Sequence, residues 1–332
     1  MSINPRPFRW HEAMAVLGIT VLASVAISPV IVQAREKANS PNSLTNAHMF
    51  GMSASLYSQD YNDDDDRPLG AHSPTHINHY AGGRTSGNGI TYHGGPIITG
   101  TTNVYYIWYG NWAGNSATTI LTDFMNNLGG SPYYNINTTY YNGSNVHVSN
   151  SVHLAGSTTD SYSQGTTLSD AAVGTIVSSA ITSGRLPKDT NALYFVLTSS
   201  DVNESSGFCT SYCGWHTYGT ISGSNIKYSV VGNPDRCPTA CAAQTTGPNG
   251  NAGADGMASI IAHELEETVT DANLNAWYDS RGAENGDKCA WTFGTTYTTS
   301  NGAKANMKLG TRDFLIQQNW LNLNGGACKL QY

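Results

Sequence analysis

The sequence predicts an α/β fold, with one domain built around a mixed sheet. Strand-like and helix-like periodicities alternate through the middle of the chain, and glycine or polar turns separate them. A continuous apolar run at Leu193–Leu197 marks a strand buried on both faces, as the centre of such a sheet requires.

Taken in order, Asn103-Val-Tyr-Tyr-Ile-Trp-Tyr109 is aromatic and β-branched and stops at Gly110, which predicts a strand. Thr118–Leu128 places Ile120, Leu121, Phe124 and Leu128 on one helical face before Gly129-Gly130. The Tyr/Asn/Thr-rich run from Tyr133 to Leu154 predicts one or two further strands. Ser169 then caps a helix whose buried stripe is Ala172, Val173, Ile176, Val177, Ala180 and Ile181, ending at Gly184. After Leu193–Leu197 come a Cys-rich loop and an edge strand at Ile226–Val231. A last helix from Gly256 to Thr270 takes Asp255 as its N-cap. A Gly-rich tail without periodicity follows.

The N-terminus has the form of a secretory signal peptide over residues 1–34. Arg6 and Arg9 precede an apolar stretch from Ala13 to Ile27, and Val32-Gln33-Ala34 forms a cleavage site. The stretch is short of the ~20 residues that span a bilayer. Residues 35–88, with Asp63–Asp66 and scattered prolines, read as a flexible linker or pro-segment. The domain proper is 89–332.

Composition agrees with export. The chain has six cysteines, all in its last 40% and none left over, which in an exported protein reads as disulfides. Local bridges Cys209–Cys213 and Cys237–Cys241 are expected, with Cys289–Cys328 tying the tail. Only 12% of residues are charged and the net charge is −7, with no basic cluster, so nucleic acid is excluded as a partner. No later segment is long and apolar enough to suggest a membrane span. Sequons stand at Asn137, Asn142 and Asn203.

The segment Ala262-His-Glu-Leu-Glu-Glu-Thr-Val-Thr-Asp271 carries the chemistry. Met257, Ile261, Leu265 and Val269 form an apolar stripe. Ser259, His263, Glu267 and Asp271 form a second stripe at the same spacing, roughly opposite. Residues four apart on a helix can hold one metal ion, as in zinc peptidases. The motif here is HExxE: His263 and Glu267 are candidate ligands, and Glu264 stands where a general base for metal-bound water would sit. Asp271, Asp279, Glu284 and Asp287 are candidates for a third ligand. An amphipathic surface helix would also show two stripes, but the acids crowd the C-terminal half, where each costs about 0.3–1 kcal/mol against the helix dipole. A divalent cation reverses that sign. One His with carboxylates suits zinc or manganese. An all-oxygen set from Asp279, Glu284 and Asp287 would suit calcium. His216, after Cys213-Gly-Trp215, reads as structural. His93 either reaches the site or caps a turn.

Several blocks together resemble the plant EXORDIUM, or phosphate-induced protein 1, group and its microbial relatives. They are Tyr92-His-Gly-Gly-Pro-Ile-Ile-Thr-Gly100, Val104-Tyr-Tyr-Ile-Trp-Tyr-Gly110, Gly207-Phe-Cys-Thr-Ser-Tyr-Cys-Gly-Trp-His216, Val231-Gly-Asn-Pro-Asp-Arg-Cys-Pro-Thr-Ala-Cys241 and Asn249-Gly-Asn-Ala-Gly-Ala-Asp-Gly-Met257. The resemblance implies an extracellular, wall-associated protein with no firmly attached enzymatic activity. Where the plant pattern is apolar before Thr-Val-Thr, this chain has Ala262-His-Glu-Leu-Glu-Glu267, as in a microbial branch that keeps a metal site. The order of elements before the HE-bearing helix is also similar to the zincin peptidases. The expected fold is therefore a zincin-like domain with a disulfide-tied tail. The first functional expectation is a secreted metallohydrolase, a metal-dependent peptidase with Glu264 as base and zinc as its metal. The alternative is a non-catalytic extracellular protein with a structural metal or none. Expected partners are an extracellular protein, peptide or wall component, with no membrane after signal cleavage, and the expected state is a monomer.

Overall fold

The computed structural model describes residues 89–332; the predicted signal peptide and the segment 35–88 lie outside the described residues. A five-stranded sheet forms the frame. Its strands are β1 (Gly100–Tyr109), β2 (Val148–Asp160), β3 (Ala192–Thr198), β4 (Gly214–Ile221) and β5 (Ser224–Val231). Their order is β2-β1-β3-β5-β4. All neighbours are parallel except β4, which pairs antiparallel to β5 at one edge. The mixed α/β reading holds, and β3, wholly buried, is the middle strand as its unbroken apolar run requires. The edge is misplaced by the sequence reading: Ile226–Val231 lies within β5, an interior strand, and the true edge is β4. The polar positions of β4 hide it from periodicity, because pairing with β5 comes from a tight Ser222-Gly223 turn.

Two helices connect the parallel strands, α1 (Ala117–Leu128) and α2 (Asp170–Thr182). Ser169 caps α2 by accepting from the Ala172 amide, as expected. Between α1 and β2, Tyr134–Thr139 forms a 3₁₀ turn rather than a strand, and β2 begins only at Val148 and runs past Leu154 to Asp160. Tyr134, Ile136 and Thr139 of that turn are buried, so packing overrides their β propensity.

The register sorts the sheet's two faces. Tyr105, Tyr194 and Tyr228 share one row, and Tyr228 lies against α2 at Gly174. The next row, Tyr106–Phe195–Ser229–His216, faces the other way. Tyr106 donates there to the Leu121 carbonyl of α1. On this second face lies the last long helix, α3 (Ala252–Thr270). It starts earlier than predicted, and its N-cap is Asn251, which accepts from the Ala254 amide at 3.0 Å. Asp255 sits in the first turn and accepts from the Asn249 amide and side chain.

The apolar stripe of α3 is buried as expected, but so is the polar one. Every residue from Met257 to Ala272 is buried. The helix packs on α1, β4 and β5, and the segment after it folds back over its remaining surface. That tail is more regular than expected. Trp277–Tyr278 pairs with Thr91–Tyr92, and three short ladders follow, of which the last joins Asn319–Leu321 to Ala327–Lys329.

The disulfides are Cys209–Cys237, Cys213–Cys241 and Cys289–Cys328. The last was expected; the two local bridges were not formed. The physical reason is the β4–β5 hairpin. Gly214 pairs with Val231, so the loop entering β4 lies beside the turn leaving β5, and the two CxxxC segments bridge across rather than within themselves. Of the sequons, Asn137 is fully buried and bonded to Asn319 Nδ2, which excludes a glycan there in the folded chain.

Candidate metal centre

The HExxE half of α3 is held against the sheet edge by the absence of a side chain. A Cβ on Gly214, the first residue of β4, would lie 2.7 Å from Ile260 Cγ2 and 3.1 Å from Glu264 Oε1. Glycine there allows the helix to approach, and it sets His216, two residues along the same strand face, opposite Glu267. On the other side, the turn around Asp287–Cys289 brings Glu284 and Asp287 over the helix. Gly286 leaves no room for a side chain against the helix: a Cβ would lie 2.9 Å from His263 Nδ1 and 3.0 Å from Glu267 Oε1.

Two groups of side chains converge around Glu267. In one, His263 Nε2 lies 3.0 Å from Glu267 Oε1 and 3.7 Å from Asp287 Oδ1. In the other, His216 Nε2 lies 3.4 Å from Glu267 Oε2 and 3.0 Å from Glu284 Oε2, with Glu264 beside them. Within each of the sets His263–Glu267–Asp287 and His216–Glu264–Glu267, the candidate ligand atoms all lie within 4.8 Å of one another. Ligands about 2.0–2.1 Å from a tetrahedral zinc ion stand roughly 3.3 Å apart, so both sets are on the right scale. The side chains are 0–4% exposed.

The predicted candidates therefore divide. His263, Glu267, Glu284 and Asp287 come together. Asp271 belongs to neither set. It ends α3 and accepts from the amides of Asn275 and Ala276 at 2.5 and 2.7 Å, a capping role that i+4 spacing does not distinguish from ligation. Asp279 accepts from the Arg281 and Ala283 amides and pairs with Lys288 at 2.9 Å. His93 stacks on Tyr278 and bonds Thr91 Oγ1, away from both sets. His216 is the residue that sequence reasoning missed. Its only signal was its position after a cysteine and glycine; the register of an edge strand brings it in.

The electrostatics are those of a cluster with more acid than base. Burial pulls His216 and His263 toward the neutral form, yet Glu284 and Glu267 around the first, and Glu267 and Asp287 around the second, outweigh it and hold both pKa values well above the usual imidazole range. Burial also raises Glu267, but His263 and His216 more than offset it and leave its carboxyl below the usual range. Glu264 goes the other way: burial, with Glu267 adding, pushes it well above the ordinary carboxyl value despite His263. Neither of its oxygens has a hydrogen-bond partner among the described residues, although the side chain is fully buried. Buried polar groups are almost always satisfied, so this carboxylate calls for a cation or a proton. The donor set, imidazole nitrogen with carboxylate oxygen, fits a divalent first-row ion.

No helix among the described residues is long and apolar enough to cross a membrane. The fold and site define an α/β protein whose last helix is buried between a sheet edge and a disulfide-tied tail. The family model for the phosphate-induced protein 1 conserved region matches residues 90–312, and the chain belongs to that family. Among similar proteins, EXORDIUM-like 5 of Arabidopsis thaliana is 32% identical, with 72% of this chain and 77% of that protein covered. EXORDIUM-like 3 of the same plant is also 32% identical, over 70% and 80%. PHOSPHATE-INDUCED 1 of Nicotiana tabacum is 28% identical, over 57% and 67%. No solved structure gives a significant match.

Proposed function

We propose that this chain is an extracellular, non-catalytic protein of the EXORDIUM type in which a divalent cation, zinc or manganese, bound by His263, Glu267 and Asp287 locks the tail onto α3. The observation that carries this reading is burial: the imidazole and carboxylates converge, but they lie beneath the tail with side chains at most 4% exposed. A peptide substrate would have to displace the 279–289 segment, which Asn285, donating to the Glu266 carbonyl of α3, and the Cys289–Cys328 bridge hold down. Three disulfides support an oxidising compartment and hence export. Its partner is a wall component or another extracellular protein. Calcium fits less well, because two imidazoles face the carboxylates and calcium takes oxygen ligands.

A second reading, a zincin-like metallohydrolase with Glu264 as base, draws support from His216, a second imidazole beside Glu264 and Glu267, although it stands in a different ligand set from His263. One set of measurements separates the two. The purified mature chain is expected to contain stoichiometric zinc or manganese, to lose about 5–10 °C of Tm when a chelator removes it, and to leave peptides intact. A chain without bound metal would refute the metal centre. Metal-dependent peptide hydrolysis abolished by Glu264→Gln would replace the structural role with a catalytic one.

A further inference from the structure

His216 and Glu264 are left over by a single ion at His263, Glu267 and Asp287. The two imidazoles do not meet in one ligand set; each shares Glu267 instead. The two oxygens of Glu267 point to different histidines, Oε1 toward His263 at 3.0 Å and Oε2 toward His216 at 3.4 Å. Glu284 Oε2 stands 3.0 Å from the same His216 nitrogen, on a side chain that is fully buried. Glu264, equally buried and without a hydrogen bond to either oxygen, lies within ligand distance of His216 and Glu267. Three carboxylates and two imidazoles thus surround the central carboxylate of Glu267, and four carboxylates are an excess of negative charge that one divalent ion does not neutralise.

We infer that the centre is dinuclear: His263, Asp287 and Glu267 Oε1 hold one divalent transition-metal ion, and His216, Glu284, Glu264 and Glu267 Oε2 hold a second, with Glu267 bridging. Carboxylate-bridged pairs of this kind place their ions about 3.5–4 Å apart. The inference rests on the metal-centre reading above and deepens it. It assigns Glu264 to the ligand set of the second ion rather than to proton transfer. It also explains why β4 supplies a buried histidine opposite an acidic helix end: the second ion joins sheet edge, helix and tail, whereas the first joins helix and tail alone.

The test counts ions. Metal-free mature chain is titrated with Mn²⁺ and with Zn²⁺, and bound metal is measured by elemental analysis after desalting. Two ions per chain are expected, falling to one in His216→Ala and to one in His263→Ala. The Mn²⁺-loaded wild type is expected to show an exchange-coupled electron paramagnetic resonance spectrum, and this readout decides the matter without any variant should the alanine variants fail to fold. One ion per wild-type chain, with an isolated six-line Mn²⁺ signal, overturns the pair and leaves the single-ion reading standing. No bound ion overturns both. Two ions that both survive His216→Ala place the second elsewhere and refute the assignment.

Discussion

Gly286 has φ −65° and ψ −47°, a conformation open to any residue, so its lack of a side chain answers to space alone. A methyl there would press on His263 and Glu267, both held inside a packed core. Gly286→Ala is therefore expected to cost about 1–3 kcal/mol by overpacking and to lower bound metal, read by denaturant titration and elemental analysis side by side. A variant that keeps full metal and stability would mean the tail can retreat. Asp271 carries the opposite lesson. Its spacing from Glu267 predicts a ligand, but its carboxylate is engaged by the amides that close the helix. Spacing places a side chain on a face; it does not say which backbone groups will claim it first.

Among the elements, the short pairing of Asn203–Glu204 with Thr167–Leu168 leads into the loop that feeds β4. Glu204 is buried there, accepting from the Ser206 amide at 3.0 Å and from the Tyr212 hydroxyl. Burial, with Asp170 nearby, lifts its pKa from 4.5 to about 7. A carboxyl that stays protonated to higher pH in the folded chain than in the unfolded one couples folding to proton uptake, so its contribution to stability is full below about 4.5 and is lost as pH rises through about 7. Glu204→Gln is expected to flatten the pH dependence of Tm across that window while retaining the hydrogen-bonded loop. An unchanged slope would assign the titration elsewhere. The helices show what local patterning carries: α1 buries the stripe that periodicity picks out and α2 does so except for half-buried Ala172, whereas α3 buries both of its stripes because the tail covers the second.

Across the whole molecule, Cys289–Cys328 closes a 39-residue separation and anchors the segment that bears Glu284 and Asp287. Replacing both cysteines with serine is expected to cost about 2–4 kcal/mol and to weaken metal affinity at the same time, because the ligands lose their tether. Calorimetry with and without Zn²⁺ measures both effects. A stability loss without any change in affinity would show that the tail is positioned by its own packing, through contacts such as Tyr133 Oη donating to the Gln317 carbonyl and Tyr140 Oη to that of Trp320.

By itself the sequence determined the alternation of strands and helices, the central strand, the cap at Ser169, the family blocks and the presence of His263, Glu264 and Glu267 on one helix, all of which depend on contacts within a few residues. Tertiary structure decided the rest. The β4–β5 hairpin sets the disulfide pairing and turns His216 inward, and the returning tail buries a helix whose polar stripe would otherwise read as solvated. These outcomes depend on strand register and on segments that meet only after folding, and no local period encodes either.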